Sequence, residues 1–189
     1  MDSKSKWNNK YKDRLNDHVH QAPNERLKSL SSYLNGGLAL DLACGLGANS
    51  FFLADLNYQV QAFDISDVAI DFVTEQVEKE GLTVQPRLCD LTELSKLHIE
   101  KQSLDLVVIT YYLDRLTFPF VKSIIKENGY FFMETFYTSP LNEEQRISDQ
   151  FKLKQQELLS EFKDWHVLFY EENEREGRQT IFARKTINN

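Results

Sequence analysis

The stretch Ala39-Leu40-Asp41-Leu42-Ala43-Cys44-Gly45-Leu46-Gly47-Ala48-Asn49 decides the fold of this chain. Leu38 to Leu42 is a short apolar run bounded by glycines, the signature of a buried strand. Gly45 and Gly47 end it and allow the backbone a sharp turn and a close approach to a ligand. Ser50 to Leu56 then reads as a helix. Strand, glycine turn and helix in succession open an α/β unit, and in open α/β sheets ligands bind beyond the carboxyl ends of such strands.

The same alternation continues outward. Val60 to Phe63 is a second strand ending at Asp64; Ser66 then caps a helix in which Ala69, Ile70, Val73 and Val77 share a face until Gly81 stops it. Val84 to Cys89 is a third strand, and Pro86 inside it, having no N–H for a ladder, assigns it to the sheet edge. Leu104 to Ile109, dense in Val and Ile, is a fourth strand buried on both faces. Thr117 is expected to cap a helix with Pro119 in its first turn, Ile124 and Ile125 in its body and Gly129 at its stop, followed by a strand from Tyr130 to Phe136. Alternation of this kind predicts a parallel sheet covered by helices on both faces. Tyr137 to Leu153 is a long polar connection, either a lid or a plain surface loop, before a short helix from Lys154 to Phe162. Trp165 to Glu172 and Thr180 to Thr186 are too close in sequence for a parallel crossover, so they form an antiparallel hairpin.

With 189 residues, 41% hydrophobic and 27% charged, the chain is expected to form a single domain, residues 1–189, whose first 34 residues make a helical cap. No apolar run approaches a membrane span, and Met1 is followed by the polar Asp2 to Lys6, so a cytoplasmic protein with no membrane contact is expected. The two cysteines, Cys44 and Cys89, read as reduced thiols, and no Cys/His set has metal-ligand spacing. Acidic residues outnumber basic ones 29 to 22, which argues against a nucleic-acid surface. Residues 1–28 are the exception, being basic. Their charge reads as a solvated helix face, with nucleic acid or membrane contact as the alternative.

The expected carboxyl ends carry Asp41, Ala43, Cys44, Gly45 and Gly47 after strand one, Asp64 after strand two, Asp90 after strand three, and Thr110, Tyr111 and Tyr112 after strand four. Asp64 stands 17 residues beyond Gly47, near the spacing at which an acidic side chain accepts from ribose hydroxyls. Ser50 occupies the place of the last glycine of a dinucleotide fingerprint. Three carboxylates at one crevice would repel a pyrophosphate, which counts against an NAD-dependent oxidoreductase and favours a cationic, phosphate-free cofactor.

These residues resemble those of class I S-adenosylmethionine-dependent methyltransferases. The resemblance is carried by residues 39–49, by Val60 to Ser66, Leu88 to Leu91, Leu104 to Ile109 and Glu127 to Phe136. It implies a Rossmann-like seven-stranded mixed sheet of order 3-2-1-4-5-7-6 with strand seven antiparallel. Within the class the chain is most similar to the small bacterial tellurite-resistance type, which also has a Trp and a Tyr four residues apart near its start, here Trp7 and Tyr11, and an Asp-Arg pair after strand four, here Asp114 and Arg115. The resemblance implies S-adenosylmethionine as cofactor: Asp41, Ala43, Gly45 and Gly47 along its methionine portion, Asp64 and Ile65 at the ribose, Asp90 and Leu91 at the adenine, and Thr110 in the floor. Ala43 departs from the glycine common in the family and is expected to fit with a negative φ. The Asn-Pro-Pro-Tyr run of enzymes that methylate DNA or protein glutamine is missing.

Methyl transfer from a sulfonium needs no proton on its leaving group, so alignment and exclusion of water supply much of the acceleration. The expected substrate is a small-molecule methyl acceptor such as a thiol or chalcogen oxyanion, and the expected state a monomer or homodimer. Arg115 is a candidate for positioning an anionic acceptor, or else for a salt bridge to Asp114 or at a helix terminus. Trp7 and Tyr11, at i and i+4, share a helix face that would close over the cofactor, and Tyr11 is a second candidate for the catalytic side. His18 and His20 read as surface residues, and His98 and His166 as structural ones. The competing classes are a non-catalytic cofactor-binding or sensor domain and an RNA or protein methyltransferase.

Overall fold

The computed structural model describes residues 2–17, 22–141 and 147–187, so His18 and His20 lie outside the described residues. The chain folds as two compact units, Met1–Leu97 and His98–Asn189.

In the first unit, β1 (Gly37–Leu42) buries its last four residues, Asp41 among them. It pairs in parallel with β2 (Tyr58–Asp64), which pairs in parallel with β3 (Val84–Leu88). Among the described residues before β1 are α1 (Ser3–Asn16), capped by Asp2, and α2 (Glu25–Ser29), capped by Asn24. Leu27, Leu30 and Leu34 are buried beside them, and the Asn24 N–H donates to Asn49 Oδ1 at 2.8 Å, fastening this segment to α3 (Ala48–Asp55). Ser66 accepts from the Ala69 N–H and starts α4 (Asp67–Glu80), which ends at left-handed Gly81, both as the sequence pattern predicts.

In the second unit, β4 (Leu104–Thr110) leads into α5 (Thr117–Ile124) and then β5 (Ile125–Phe136), parallel to β4. After α6 (Glu157–Glu161), β6 (His166–Asn173) and β7 (Arg178–Arg184) form the expected antiparallel hairpin, with β7 also antiparallel to β5. Phe131, Phe132, Met133, Phe162 and Phe182 are completely buried and make the core here.

The seven strands form one mixed sheet of order β3-β2-β1-β4-β5-β7-β6. The edge position of β3 is the one that tolerates Pro86. Among the described residues, no helix is long and apolar enough to cross a membrane.

Three local expectations are corrected. Thr117 is the first residue of α5 rather than its cap; Leu116 takes the cap position, and the buried Thr117 hydroxyl donates to the Asp114 carbonyl at 2.6 Å. The helix ends at Ile124 rather than at Gly129, because Ile125 is extended and pairs with Leu104. Asn128, at φ +63°, and a bulge then carry the strand on to Tyr130 opposite Leu106. The last helix is shorter than Lys154 to Phe162: Gln156, at φ +55°, interrupts it, and Glu157 turns back to accept from the Lys154 N–H at 2.7 Å.

Candidate functional site

The turn after β1 is held in an unusual backbone state, with Ala43, Gly45 and Gly47 all left-handed, at φ +59°, +56° and +82°. For Ala43 this overturns the expected negative φ. A residue with a Cβ carries a strain of about 1 kcal/mol there, which a glycine would not. Gly45 and Gly47 differ in what their missing side chains allow. A Cβ on Gly47 would meet Phe51 Cζ at 2.8 Å and Val73 Cγ2 at 2.9 Å, so its smallness serves the packing of α3 and α4 around the turn. A Cβ on Gly45 would come within 2.9 Å of the Tyr11 hydroxyl.

Asp64, at the end of β2, is buried and organises this turn. Its Oδ2 accepts the Gly45 N–H and its Oδ1 accepts the Ser66 N–H, each at 2.9 Å. Burial raises its carboxyl above the ordinary range, while the backbone donors at Ser66, Gly45 and Ile65 pull it back down.

Asp41 is completely buried, and burial pushes its carboxyl up to about 7. Ser50 Oγ donates to its Oδ2 at 2.6 Å, while Oδ1 is buried with no hydrogen-bond partner among the described residues. Ser50 is thus a site residue that the sequence reading took only as a missing glycine; its place in the first turn of the helix after β1 was the available signal.

Asp90 caps the 3-10 segment Leu91–Lys96, accepting the Thr92 N–H and hydroxyl on Oδ1 at 2.9 and 2.7 Å. It lines an open cleft of about 550 Å³ together with Ile65, Leu88, Cys89 and Thr92. The opposite lining is Asp2, Ser3 and Lys4, the start of α1, which sequence reading had not connected with this site. Leu91 is buried directly after Asp90.

Helix α1 is latched over the turn. Lys4 Nζ stands 2.9 Å from Asp67 Oδ1, Asn8 Nδ2 donates to Asp67 Oδ2, and the Ser66 hydroxyl donates to Asn8 Oδ1 at 2.6 Å. Trp7 and Tyr11 stack with ring centroids 5.7 Å apart, and Tyr11 packs in a cluster with Leu46 and Ala69. Burial, then the charge of Asp64, raises the Tyr11 phenol far above its ordinary range, so it remains a neutral hydroxyl at the turn. Cys44 and Cys89 are free. Burial raises Cys44 well above the ordinary thiol range and pushes Cys89 up to about 11, so neither is an activated nucleophile.

The remaining candidates belong to the second unit. Thr110 is the last residue of β4 and is partly buried. Arg115 is engaged by its own chain: Nε and Nη2 fork onto Glu157 at 2.6 and 2.9 Å, Nη2 also donates to the Lys152 carbonyl at 3.0 Å and Nη1 to that of Gln150 at 3.4 Å. The ion pair is made with Glu157, 42 residues on, rather than with Asp114, and it ties the connection after β5 to the residues following β4.

The sheet order, its antiparallel end and the glycine turn define the fold of the class I S-adenosylmethionine-dependent methyltransferases. A family model described as "Tellurite resistance protein TehB" matches residues 5–183, and the chain belongs to this family. A curated relative from Haemophilus influenzae (strain Rd), "Probable S-adenosyl-L-methionine-dependent methyltransferase TehB", is 30% identical over 147 residues, covering 75% of this chain and 50% of its own length. The chain thus spans about half the length of the curated relatives it matches. The crystal structure of TehB from Haemophilus influenzae superimposes with a TM-score of 0.77 at 24% identity over 92% of this chain and 66% of that one. Geranyl diphosphate C-methyltransferase from Streptomyces coelicolor A3(2), solved with Mg2+, geranyl diphosphate and S-adenosyl-L-homocysteine, shares the fold at a TM-score of 0.67 and 13% identity, over 86% of this chain and 80% of that one.

Proposed function

We propose that the chain is an S-adenosylmethionine-dependent methyltransferase, with residues 1–189 working as one catalytic domain in the cytoplasm on a small-molecule acceptor, a thiol or a chalcogen oxyanion. The observation that carries this reading is Asp41 Oδ1, a buried carboxylate oxygen without a partner among the described residues, at the foot of a left-handed turn. An unpaired buried acceptor calls for a donor, and a ligand ammonium would supply one.

The residues of the first unit fit such a cofactor. Asp41, with the turn at Ala43, Gly45 and Gly47, would hold the methionine portion, and Asp64 and Ile65 the ribose. Asp90 and Leu91 would hold the adenine in the cleft that the start of α1 walls. The site's charged side chains are acidic apart from Lys4, which is paired with Asp67, in keeping with a sulfonium and against a pyrophosphate. Bound there, S-adenosylmethionine would supply a methyl group open to in-line displacement.

The chain's own residues then orient and desolvate. Asp64 fixes the Gly45 and Ser66 amides, and Trp7 and Tyr11 exclude water from above the turn. Thr110 would continue the floor. Arg115, forked onto Glu157, would act on the acceptor by holding the connection after β5 in place rather than by touching it.

Calorimetric titration of the chain with S-adenosylhomocysteine, with NADH and ATP as controls, tests the reading. Saturable binding of S-adenosylhomocysteine alone is the expected result; its failure to bind, or equal binding of NADH, overturns the assignment.

A further inference from the structure

Helix α1 is joined to the rest of its unit by few contacts. Its apolar side chains, Trp7, Tyr11 and Leu15, recur at i, i+4 and i+8 and so form one narrow stripe. Only Tyr11 is buried; Trp7 and Leu15 are partly covered where the stripe lies on Leu46, Val68, Ala69 and Phe72. The polar contacts are as sparing. Lys4 and Asp67 are each nearly half exposed, at 43% and 44%, and water and salt screen such pairs. Asn8 accepts from the Ser66 hydroxyl at 2.6 Å but reaches Asp67 Oδ2 only at 3.5 Å. Lys6, Lys10 and Arg14 stand at successive i, i+4 positions, a like-charge spacing that weakens a helix, and burial, then Arg14 and Lys6, lowers the Lys10 ammonium below its ordinary range. A helix of 14 residues is marginal by itself, so α1 belongs to the segments that come away before the unit unfolds.

This weakly held helix covers the candidate site of the same unit. Asp2, Ser3 and Lys4 wall the cleft opposite Ile65, Cys89 and Asp90. The Tyr11 ring lies on Gly45 so closely that a Cβ there would meet its hydroxyl at 2.9 Å. Ser66 joins helix and site, since its N–H donates to Asp64 and its hydroxyl to Asn8.

We propose that α1 is a gate on this site, held shut by the Lys4–Asp67 and Asn8–Ser66 contacts, and that S-adenosylmethionine enters and S-adenosylhomocysteine leaves only while α1 is lifted. The gate rests on the reading of this cleft as an S-adenosylmethionine site. Both latch contacts are made to α4 and its cap, not to the ligand, so they hold α1 down equally with or without ligand. Weakening them multiplies the lifted fraction in both states; association and dissociation therefore quicken together while affinity hardly moves. A fixed wall touching the ligand behaves otherwise, because loosening it raises dissociation alone and weakens binding.

Stopped-flow binding of S-adenosylhomocysteine to the full chain, followed by tryptophan fluorescence, reads both rates. Asp67→Asn removes the ion pair and leaves the Asn8–Ser66 contact; both rates should rise by about two- to fivefold, the range for an exposed pair. Asn8→Ala should raise both by about fivefold through its lost hydrogen bonds. S-adenosylhomocysteine has no net charge at neutral pH, so added salt should speed exchange in the wild type through the ion pair and do so much less in Asp67→Asn. Without any ligand, trypsin should cut after the exposed Lys6, Lys10 and Lys12 faster in both variants, by the same factors. Faster dissociation with unchanged association, rates that move in neither variant, or unchanged cleavage within α1 would overturn the gate. A wild-type chain that does not bind S-adenosylhomocysteine would instead remove the cofactor reading beneath it, while the trypsin result still decides whether the latch holds α1.

Discussion

Ser50 donates its hydroxyl to one oxygen of Asp41 at 2.6 Å, while the other oxygen of the same carboxylate is buried without a partner among the described residues. The carboxyl is therefore half satisfied, and burial pushes it up to about 7 from an ordinary value of 3.8.

The sign of the resulting pH dependence follows from linkage. Between about pH 4 and 7 the folded chain keeps a proton on Asp41 that the unfolded chain has lost, so the Asp41 contribution to stability falls as pH rises through this window and is constant above it. Denaturant melts of the ligand-free chain should show this slope flattened in Asp41→Asn. Affinity for S-adenosylhomocysteine should change in the opposite sense, strengthening up to about tenfold per pH unit below 7 as the carboxylate ionises to meet an ammonium. Asp64, also raised by burial, adds in the same sense, so the Asp41→Asn difference is the quantity to read.

Asp64→Ala removes the acceptor for two buried amides, those of Gly45 and Ser66. Stability should fall by about 1–3 kcal/mol, and S-adenosylhomocysteine affinity should fall with it through lost charged hydrogen bonds. Calorimetry under conditions where the variant is folded separates the two effects; full affinity there would limit Asp64 to a structural role.

Ala43→Gly should be neutral to stabilising by up to about 1 kcal/mol, since relief of left-handed strain opposes the greater entropy of glycine in the unfolded chain. Thermal melts decide it. A loss of more than that would mean the Ala43 methyl makes contacts that outweigh the strain.

Gly45→Ala should destabilise the chain by at least about 1 kcal/mol, because the residue is left-handed and its new methyl would meet the Tyr11 hydroxyl. Pairing it with Tyr11→Phe removes that oxygen. Partial recovery in the double variant, measured by denaturant melts, is the expected sign that α1 rests on the turn; strict additivity would refute it.

Arg115→Ala should leave S-adenosylhomocysteine binding intact, cost about 1 kcal/mol through loss of a forked, partly exposed ion pair, and open residues 147–153 to proteolysis. Although burial alone would raise Glu157, Arg115 and the Lys154 amide hold it below its usual range. The clamp's contribution is therefore present at neutral pH and lost as pH falls through that lowered value. An unchanged cleavage pattern in the variant would remove the clamp role.

Much of this molecule was legible in its sequence, because local rules act on neighbouring residues. Apolar runs broken by Gly45 and Gly47, the cap at Ser66 and the stop at Gly81 needed no distant partner, and Pro86 assigned its strand to the edge through its missing N–H. The short link between the last two strands likewise permitted only a hairpin. Asp41, Asp64 and Asp90 could be set at strand ends by counting.

Tertiary structure decided what these groups do with their hydrogen bonds. The left-handed state of Ala43 depends on a turn whose amide is held by Asp64, 19 residues beyond Gly45. The helix expected to run to Gly129 yields at Ile125 because a partner strand offers Leu104 as its pair. Arg115 finds Glu157 42 residues away, and Glu134 finds Tyr111 just past β4 and Thr180 on β7. Periodicity and local propensity report which face of an element is buried; which polar group satisfies a buried charge is set by chain segments distant in sequence, and that is known only once the sheet has brought them together.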